Sequence, residues 1–208
     1  MKVTRVEEMT KNRSRVYIDE EFAFVLYKGE LRLYHIVPGE EIAPEDYEMI
    51  LRQVLPKRAK LRALNLLKNR EYTVKQLGDK LREGGYPERV AQEALDYVAG
   101  FHYTDDLRYA VAFISGHENT RSRRRIEQDL LGRGIDRDTL EQAWLEWADQ
   151  GGCQDEQGMI KELLEKRGYD PKKADVREKQ RQSAFLMRRG FSGEQVRKAL
   201  FSGDFEDY

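Results

Sequence analysis

The sequence predicts a mainly α fold: three tandem three-helix repeats forming an elongated, curved array, preceded by a small N-terminal β-hairpin or meander. Three observations predict it. The first 36 residues hold β-rich runs, the chain from Pro56 onward is patterned at helical spacing, and one helical unit recurs three times at a Gly anchor. The composition agrees with such a fold. Hydrophobic residues make up 39% and charged residues 36%, against about 45–50% and about 25% in an average globular chain. Thin helices suit this balance, because each needs one apolar stripe and leaves a wide wet face.

In chain order, Arg15–Ile18 and Phe22–Leu26 are rich in β-branched and aromatic residues, and Asp19-Glu20-Glu21 between them is a turn without Gly. Val3–Met9 supplies a third strand. A lone hairpin is marginal unless it packs on a helix. Val37-Pro38-Gly39-Glu40 marks a turn, and Pro44 opens a short helix with Tyr47, Ile50, Leu51 and Val54 on one face. These pieces form a segment 1–55. Beyond Pro56, Leu61, Leu64 and Leu67 recur at helical spacing. Thr73 is an N-cap with Gln76 as its capping-box partner, Gly84-Gly85 stops that helix, and Pro87 opens the next.

The unit then returns. Leu81, Tyr86, Ala94 and Leu95 stand four before and one, nine and ten after Gly85. Leu130, Ile135, Ala143 and Trp144 stand at the same offsets from Gly134, and Leu186, Phe191, Ala199 and Leu200 at the same offsets from Gly190. A further helix precedes each pair, around 61–68, 106–114 and 159–166. The predicted repeats are 58–102, 103–152 and 153–203, followed by an acidic tail 204–208; each has a small core and leans on its neighbours.

No catalytic constellation is legible. His35, His102 and His117 have no helical metal-ligand spacing, and the single cysteine, Cys153, follows Gly151-Gly152 with no base or orienting partner in sequence. Phosphate-loop glycine motifs are absent. The expectation is therefore a non-enzyme without metal or cofactor. One cysteine cannot form an internal disulfide, which fits a reducing cytosol. The chain also lacks an apolar signal core and an 18-residue apolar run, so the expected location is cytoplasmic. Asp105-Asp106 are adjacent carboxylates that point apart on a helix; one caps the helix near Leu107 and the other meets its positive end.

Basic clusters remain. Lys57, Arg58, Lys60, Arg62, Lys68 and Arg70 crowd the first helix with no acid among them. Arg121, Arg123, Arg124 and Arg125 open the middle helix of the second unit, where four Arg oppose the helix dipole and call for a partner carboxylate or phosphate. A third group, with Arg188 and Arg189, lies along the last unit. Acidic stretches answer them at 40–48, 136–149 and in the tail (Asp204, Glu206, Asp207). The net charge of −1 argues against a dedicated duplex-DNA clamp and suits a charged protein partner.

Tyr103-Thr104-Asp105-Asp106, Tyr109-Ala110, Phe113-Ile114, Arg124-Arg125-Ile126, Leu130 and Gly134-Ile135 resemble the central signature of the RecX family, and Arg70, Thr73, Leu77, Leu81 and Gly85 resemble its first-repeat pattern. Thr73 and Gln76 stand where the first repeat of the family often has Ser and Glu, and the third repeat matches loosely, with a longer stretch from Gly168 to Ala174. The resemblance implies three repeats of three helices. It also implies a regulator that binds the RecA–DNA filament and inhibits or tunes its ATPase, strand-exchange and coprotease activities in recombination and the SOS response. The partner would be RecA, with single- or double-stranded DNA within the filament, no membrane, and a monomeric state. The residues put forward for that contact are Arg121, Arg123, Arg124, Arg125, Lys57, Arg58, Lys60, Arg62, Arg188 and Arg189; Tyr103, Asp105, Asp106, Tyr109, Ala110, Gly85, Gly134 and Gly190 are structural. The alternatives are a helical protein that binds DNA directly and a helical-repeat interaction module with another protein partner.

Overall fold

Residues 1–201 are described by a computed structural model; the tail residues Asp204, Glu206 and Asp207 lie outside this range. The chain divides into two compact units, Met1–Asp105 and Asp106–Tyr208. The first begins with β1 (Val3–Thr10), β2 (Arg13–Ile18) and β3 (Glu21–Tyr27), an antiparallel meander in the order β1-β2-β3. Ile18 pairs with Glu21, leaving Asp19 and Glu20 as a two-residue turn with φ of 48° and 71°. Positive φ at both positions matches the right-handed twist of the strands but usually calls for Gly or Asn. Here the strain is offset locally: Asp19 Oδ1 accepts from the Lys2 N–H at 2.9 Å, and Thr4 Oγ1 accepts from the Glu20 N–H at 3.1 Å.

The strand reading of the first 36 residues misses α1 (Lys28–Leu33). Its reason is electrostatic as well as local. Glu30 accepts from the Tyr27 N–H at 2.7 Å and also pairs with Arg58 at 2.7 Å, so a distant guanidinium helps to hold this short helix. Pro56 stands inside a continuous helical run. It does not open a helix: α2 (Pro44–Met49), a π-helical stretch (Ile50–Val54) and α3 (Leu55–Leu67) follow one another without a gap. Proline lacks an N–H and crowds the carbonyl four residues back. The wider π turn immediately upstream is where that misfit is absorbed.

The first repeat is completed by α4 (Val74–Glu83) and α5 (Glu88–Gly100). Thr73 Oγ1 accepts from the Gln76 N–H at 3.1 Å, and Gln76 Oε1 accepts in return from the Thr73 N–H. One core serves sheet and repeat together: Val16, Phe24 and Leu26 pack with Ile50, Leu55, Ala59 and Ala63 and with Leu77, Leu81, Val90 and Val98. The meander packs its apolar side chains on the helices of the repeat, and this shared core stabilises it.

The second unit contains α6 (Asp106–His117), α7 (Arg123–Gly132) and α8 (Arg137–Asp149), then α9 (Glu156–Lys166), α10 (Val176–Arg188) and α11 (Gly193–Phe201). It holds two apolar clusters. Ile114, Ile126, Leu130, Ala143, Trp144 and Trp147 belong to the first, and Ile160, Leu164, Leu186, Phe191, Val196 and Leu200 to the second. Polar bonds cross between them. Ser122 Oγ donates to the Arg189 carbonyl at 2.9 Å, Glu156 accepts from the Arg123 N–H at 2.7 Å, and Gln154 Nε2 donates to the carbonyls of Glu118 and Arg121 at 2.9 and 2.7 Å.

The anchor glycines share one conformation. Gly85, Gly134 and Gly190 have φ of 82°, 93° and 93°. In each case the following N–H reaches back five residues: Tyr86 to Leu81, Ile135 to Leu130 and Phe191 to Leu186. This is the Schellman closure, in which a left-handed residue satisfies carbonyls at a helix end and brings two apolar side chains together. Two of the repeat offsets, four before and one after the glycine, are therefore the hydrogen-bond offsets of a helix stop. The same closure recurs with His35 (φ 47°) and His102 (φ 56°) in place of Gly, followed by Ile36 to Leu31 and Tyr103 to Val98.

Candidate functional site

The N-terminal end of α7 and the C-terminal end of α10 meet in the second unit. Ser122 caps α7 by accepting from the Arg125 N–H at 3.3 Å and is itself buried. Its hydroxyl lies so close to Gly190 that a Cβ there would come within 2.5 Å of it. This close approach sets Arg121 and Arg125 beside Arg188 and Arg189. The four line a cleft of about 360 Å³ together with Thr120, Ser122, Leu163 and Phe191. Two basic clusters more than sixty residues apart in sequence therefore share one concavity.

Asp129 faces both arginines of α7, at 2.6 Å from Arg121 and 3.2 Å from Arg125. No carboxylate is among the lining residues. The partial positive charge at the start of α7 and the partial negative charge at the end of α10 are each about half a unit and roughly cancel. One carboxylate set against four guanidinium groups leaves an unmet positive charge. Arg188 and Arg189 are exposed and form no ion pair among the described residues; Arg189 lies over the Phe185 ring at 4.8 Å. The cleft can accept carboxylates or phosphates, and arginine suits both through its planar fork of donors.

The other basic residues have different surroundings. Arg123 pairs with Glu127 at 2.9 Å and lies over Trp144 at 4.5 Å. Thus three of the four arginines in the 121–125 run find their carboxylate within the chain, while Arg124 is exposed and makes no ion pair among the described residues. In the first unit, half-buried Arg58 is bound to half-buried Glu30, donates to the Val25 carbonyl at 3.4 Å and stacks over Tyr27 at 4.3 Å. Lys60 pairs with Glu93 at 2.7 Å and lies 5.3 Å over Tyr97. Lys57 and Arg62 are exposed without an ion pair among the described residues.

Of the residues named as structural, Asp106 begins α6 and Asp105 precedes it at the capping position. Ala110 is fully buried, and Tyr109 stacks on Phe113 while its hydroxyl accepts from Arg133 Nη1. Tyr103 is exposed and stacks on Phe101. Sequence reasoning missed Ser122, the residue that joins the two clusters. It also assigned Asp136 to an acidic stretch, whereas Asp136, Asp155 and Asp175 cap α8, α9 and α10. The signal was present, since each of these four precedes a helix start. His117 is bonded to the Phe113 carbonyl and stacked on the Phe113 ring.

Three family models match the chain in succession: the first three-helix domain of RecX at residues 59–97, the second at 105–143 and the third at 154–200. A regulatory protein RecX of Caldanaerobacter subterraneus is 32% identical over 96% of this chain and 98% of its own length. The chain belongs to the RecX family. Its relatives include the regulatory protein RecX of Clostridioides difficile, 26% identical over 95% of this chain and 93% of that protein. A crystal structure of regulatory protein RecX covers 97% of this chain and 98% of its own at a TM-score of 0.62 and 23% identity, and one of RecX from Lactobacillus salivarius covers 73% of this chain and 97% of its own at 0.56 and 20%. These two show the fold. The three-helix repeats and the small strand-rich start read from the sequence are thus established, and the chain is a member of a family of regulatory proteins. Among the described residues, no helix is long and apolar enough to cross a membrane, and no group of three His, Cys, Asp or Glu is placed to hold a metal ion.

Proposed function

We propose that this protein regulates the RecA recombinase by occupying the RecA–DNA filament in the cytoplasm, and that it does so without catalysing a reaction. Bound protein would hold neighbouring protomers and limit ATP hydrolysis, strand exchange and coprotease activity. Membership of a family of regulatory proteins supports the reading. The observation that carries it is the cleft in which Arg121, Arg125, Arg188 and Arg189 from successive repeats outnumber a single Asp129. Such an excess steers and fixes an anionic partner, either an acidic RecA surface or a DNA phosphate exposed in the filament. Arg124, exposed on the same helix, extends the positive face.

The test is ATP hydrolysis by RecA on single-stranded DNA. The protein lowers the rate at substoichiometric amounts, and the Arg188→Glu/Arg189→Glu variant needs on the order of tenfold more protein for the same effect, a loss of about 1.4 kcal/mol. Equal potency of the variant overturns the assignment of the cleft, and no effect of the parent protein overturns the RecA reading. The same cleft also favours a second reading, direct binding of DNA. Binding to DNA without RecA that falls steeply with salt, as release of phosphate counterions requires, supports that one.

A further inference from the structure

The first unit holds a second basic concavity, independent of the arginine cleft and of the RecA reading. It lies where the strands meet the end of α4, with a volume of about 330 Å³, and its lining includes Arg13, Tyr27, Arg62, Lys80, Glu83 and Tyr86. This is near the lower end of the range of about 300–1,000 Å³ for ligand pockets. Glu83 is its only carboxylate and is bound to Lys80 at 2.7 Å. Arg62 forms no ion pair among the described residues. Arg13 uses one nitrogen, Nη2, to donate to the Gly84 carbonyl at 2.5 Å, but its Nε is buried with no hydrogen-bond partner. A buried N–H on a charged group that lacks an acceptor costs about 1–3 kcal/mol or more.

The plain structural explanation is that these cations neutralise the C-terminal end of α4. That end is equivalent to about half a negative charge. Three cations against Glu83 and half a charge still leave an excess of more than one. Burial pushes the Tyr86 hydroxyl above its usual pKa, although the nearby Arg58 and Arg13 oppose the shift. The hydroxyl is therefore a neutral O–H at physiological pH, able to donate.

We infer that this cavity is an anion site for a phosphate group, with Arg13, Arg62 and Lys80 supplying charge and Tyr86 a neutral donor. A phosphate presents acceptors to several donors at once, which suits a lining that includes two arginines, a lysine and a tyrosine. The group is carried by a nucleic-acid backbone or by a free phosphate compound, and the experiment separates these sources.

The full chain, without RecA, is titrated with a single-stranded oligothymidylate and, separately, with pyrophosphate. Parent, Arg62→Gln/Lys80→Gln and the control Arg137→Gln/Arg197→Gln, at exposed positions outside both cavities, are compared at several salt concentrations, with circular dichroism to confirm folding. Arg62 is exposed and the Lys80 side chain is 41% exposed, and neither belongs to the apolar core, so the variant retains that core. If the source is a backbone, the Arg62/Lys80 variant binds the oligonucleotide on the order of tenfold more weakly and with a shallower salt dependence, because fewer counterions are released. If the source is free phosphate, pyrophosphate raises the melting temperature of the parent and of the control but not of the Arg62/Lys80 variant. Either result supports the site. Unchanged binding in that variant, loss confined to the control, or no binding of either probe by the parent overturns it.

Discussion

Substituting Gly190 by Ala tests the joint that creates the arginine cleft, and Gly168→Ala provides an internal reference. Both glycines lie in the second unit with positive φ, 93° and 67°. A Cβ on Gly168 meets nothing within 4 Å, whereas one on Gly190 comes within 2.5 Å of Ser122 Oγ and 3.3 Å of both N and Cβ of Arg125. For Gly168→Ala the cost is conformational. The left-handed region disfavours an L side chain by about 1–2 kcal/mol, and the reduced entropy of the unfolded chain returns about 0.5–1 kcal/mol, so the net loss is about 1 kcal/mol or less. Gly190→Ala adds displacement of Ser122. That removes an N-cap, typically about 1 kcal/mol, and the hydrogen bond to the Arg189 carbonyl, about another 1 kcal/mol. The total is about 3 kcal/mol, so the two variants should differ by about 2 kcal/mol. Both tryptophans of the chain, Trp144 and Trp147, lie in α8, so their fluorescence in urea reports this unit. With a slope of about 1–3 kcal/mol/M, the midpoints should separate by roughly 1 M. Equal midpoints, or a lower midpoint for Gly168→Ala, refute the claim that close approach at Gly190 holds α7 against α10.

Four further substitutions follow from the same geometry. Asp129→Asn removes the carboxylate shared by Arg121 and Arg125; under the RecA reading it lowers the amount of protein needed to inhibit ATP hydrolysis and makes that inhibition more sensitive to salt, and weaker inhibition from folded protein counts against it. Glu30→Gln weakens the half-buried pair with Arg58 and releases α1, at about 1–3 kcal/mol, measured as faster amide exchange in residues 28–33. Asp136 is held below its usual pKa by the Thr139 backbone N–H and hydroxyl, so its contribution to stability is present above the unfolded carboxylate pKa and is lost as pH falls through the lower folded value. Asp136→Asn should therefore flatten the acid limb of the stability curve, followed by tryptophan fluorescence, with little change at pH 7. His102→Gly relieves a left-handed histidine and should raise the stability of the first unit by up to about 1 kcal/mol, while a loss would show that the His102 side chain contributes more than its backbone strain.

Apolar spacing and helix stops were legible in the sequence for a shared physical reason. Leu81, Gly85 and Tyr86, and their counterparts in the later repeats, act within seven residues of one another through a local hydrogen-bonding pattern. A local device leaves a local trace. The π stretch before Pro56 and the helix at Lys28–Leu33 left weaker traces, because each depends on remote structure. A proline can start a helix or be accommodated inside one, and nothing next to Glu30 reveals that Arg58 waits nearly thirty residues away.

Charge was the least legible layer, and the arginine run shows why. Four arginines at a helix start oppose the dipole, and that argument calls for a carboxylate or phosphate to answer them. It cannot say where that anion comes from. Asp129 and Glu127 lie on the next turns of the same helix, whereas Glu156, which accepts from the Arg123 N–H, opens a helix of the following repeat. The same inventory of cations therefore contains two populations. Arg58, Lys60 and Arg123 are used to brace the fold, and Lys57, Arg62, Arg124, Arg188 and Arg189 keep their charge facing solvent. Only the second population can be given to a partner without first breaking an internal bond. Reversing Arg58 or Lys60 would confound binding with stability, whereas Arg188 and Arg189 offer a charge reversal that leaves the internal ion pairs in place. That distinction makes the end of α10, rather than the densely basic first helix, the informative place to probe recognition.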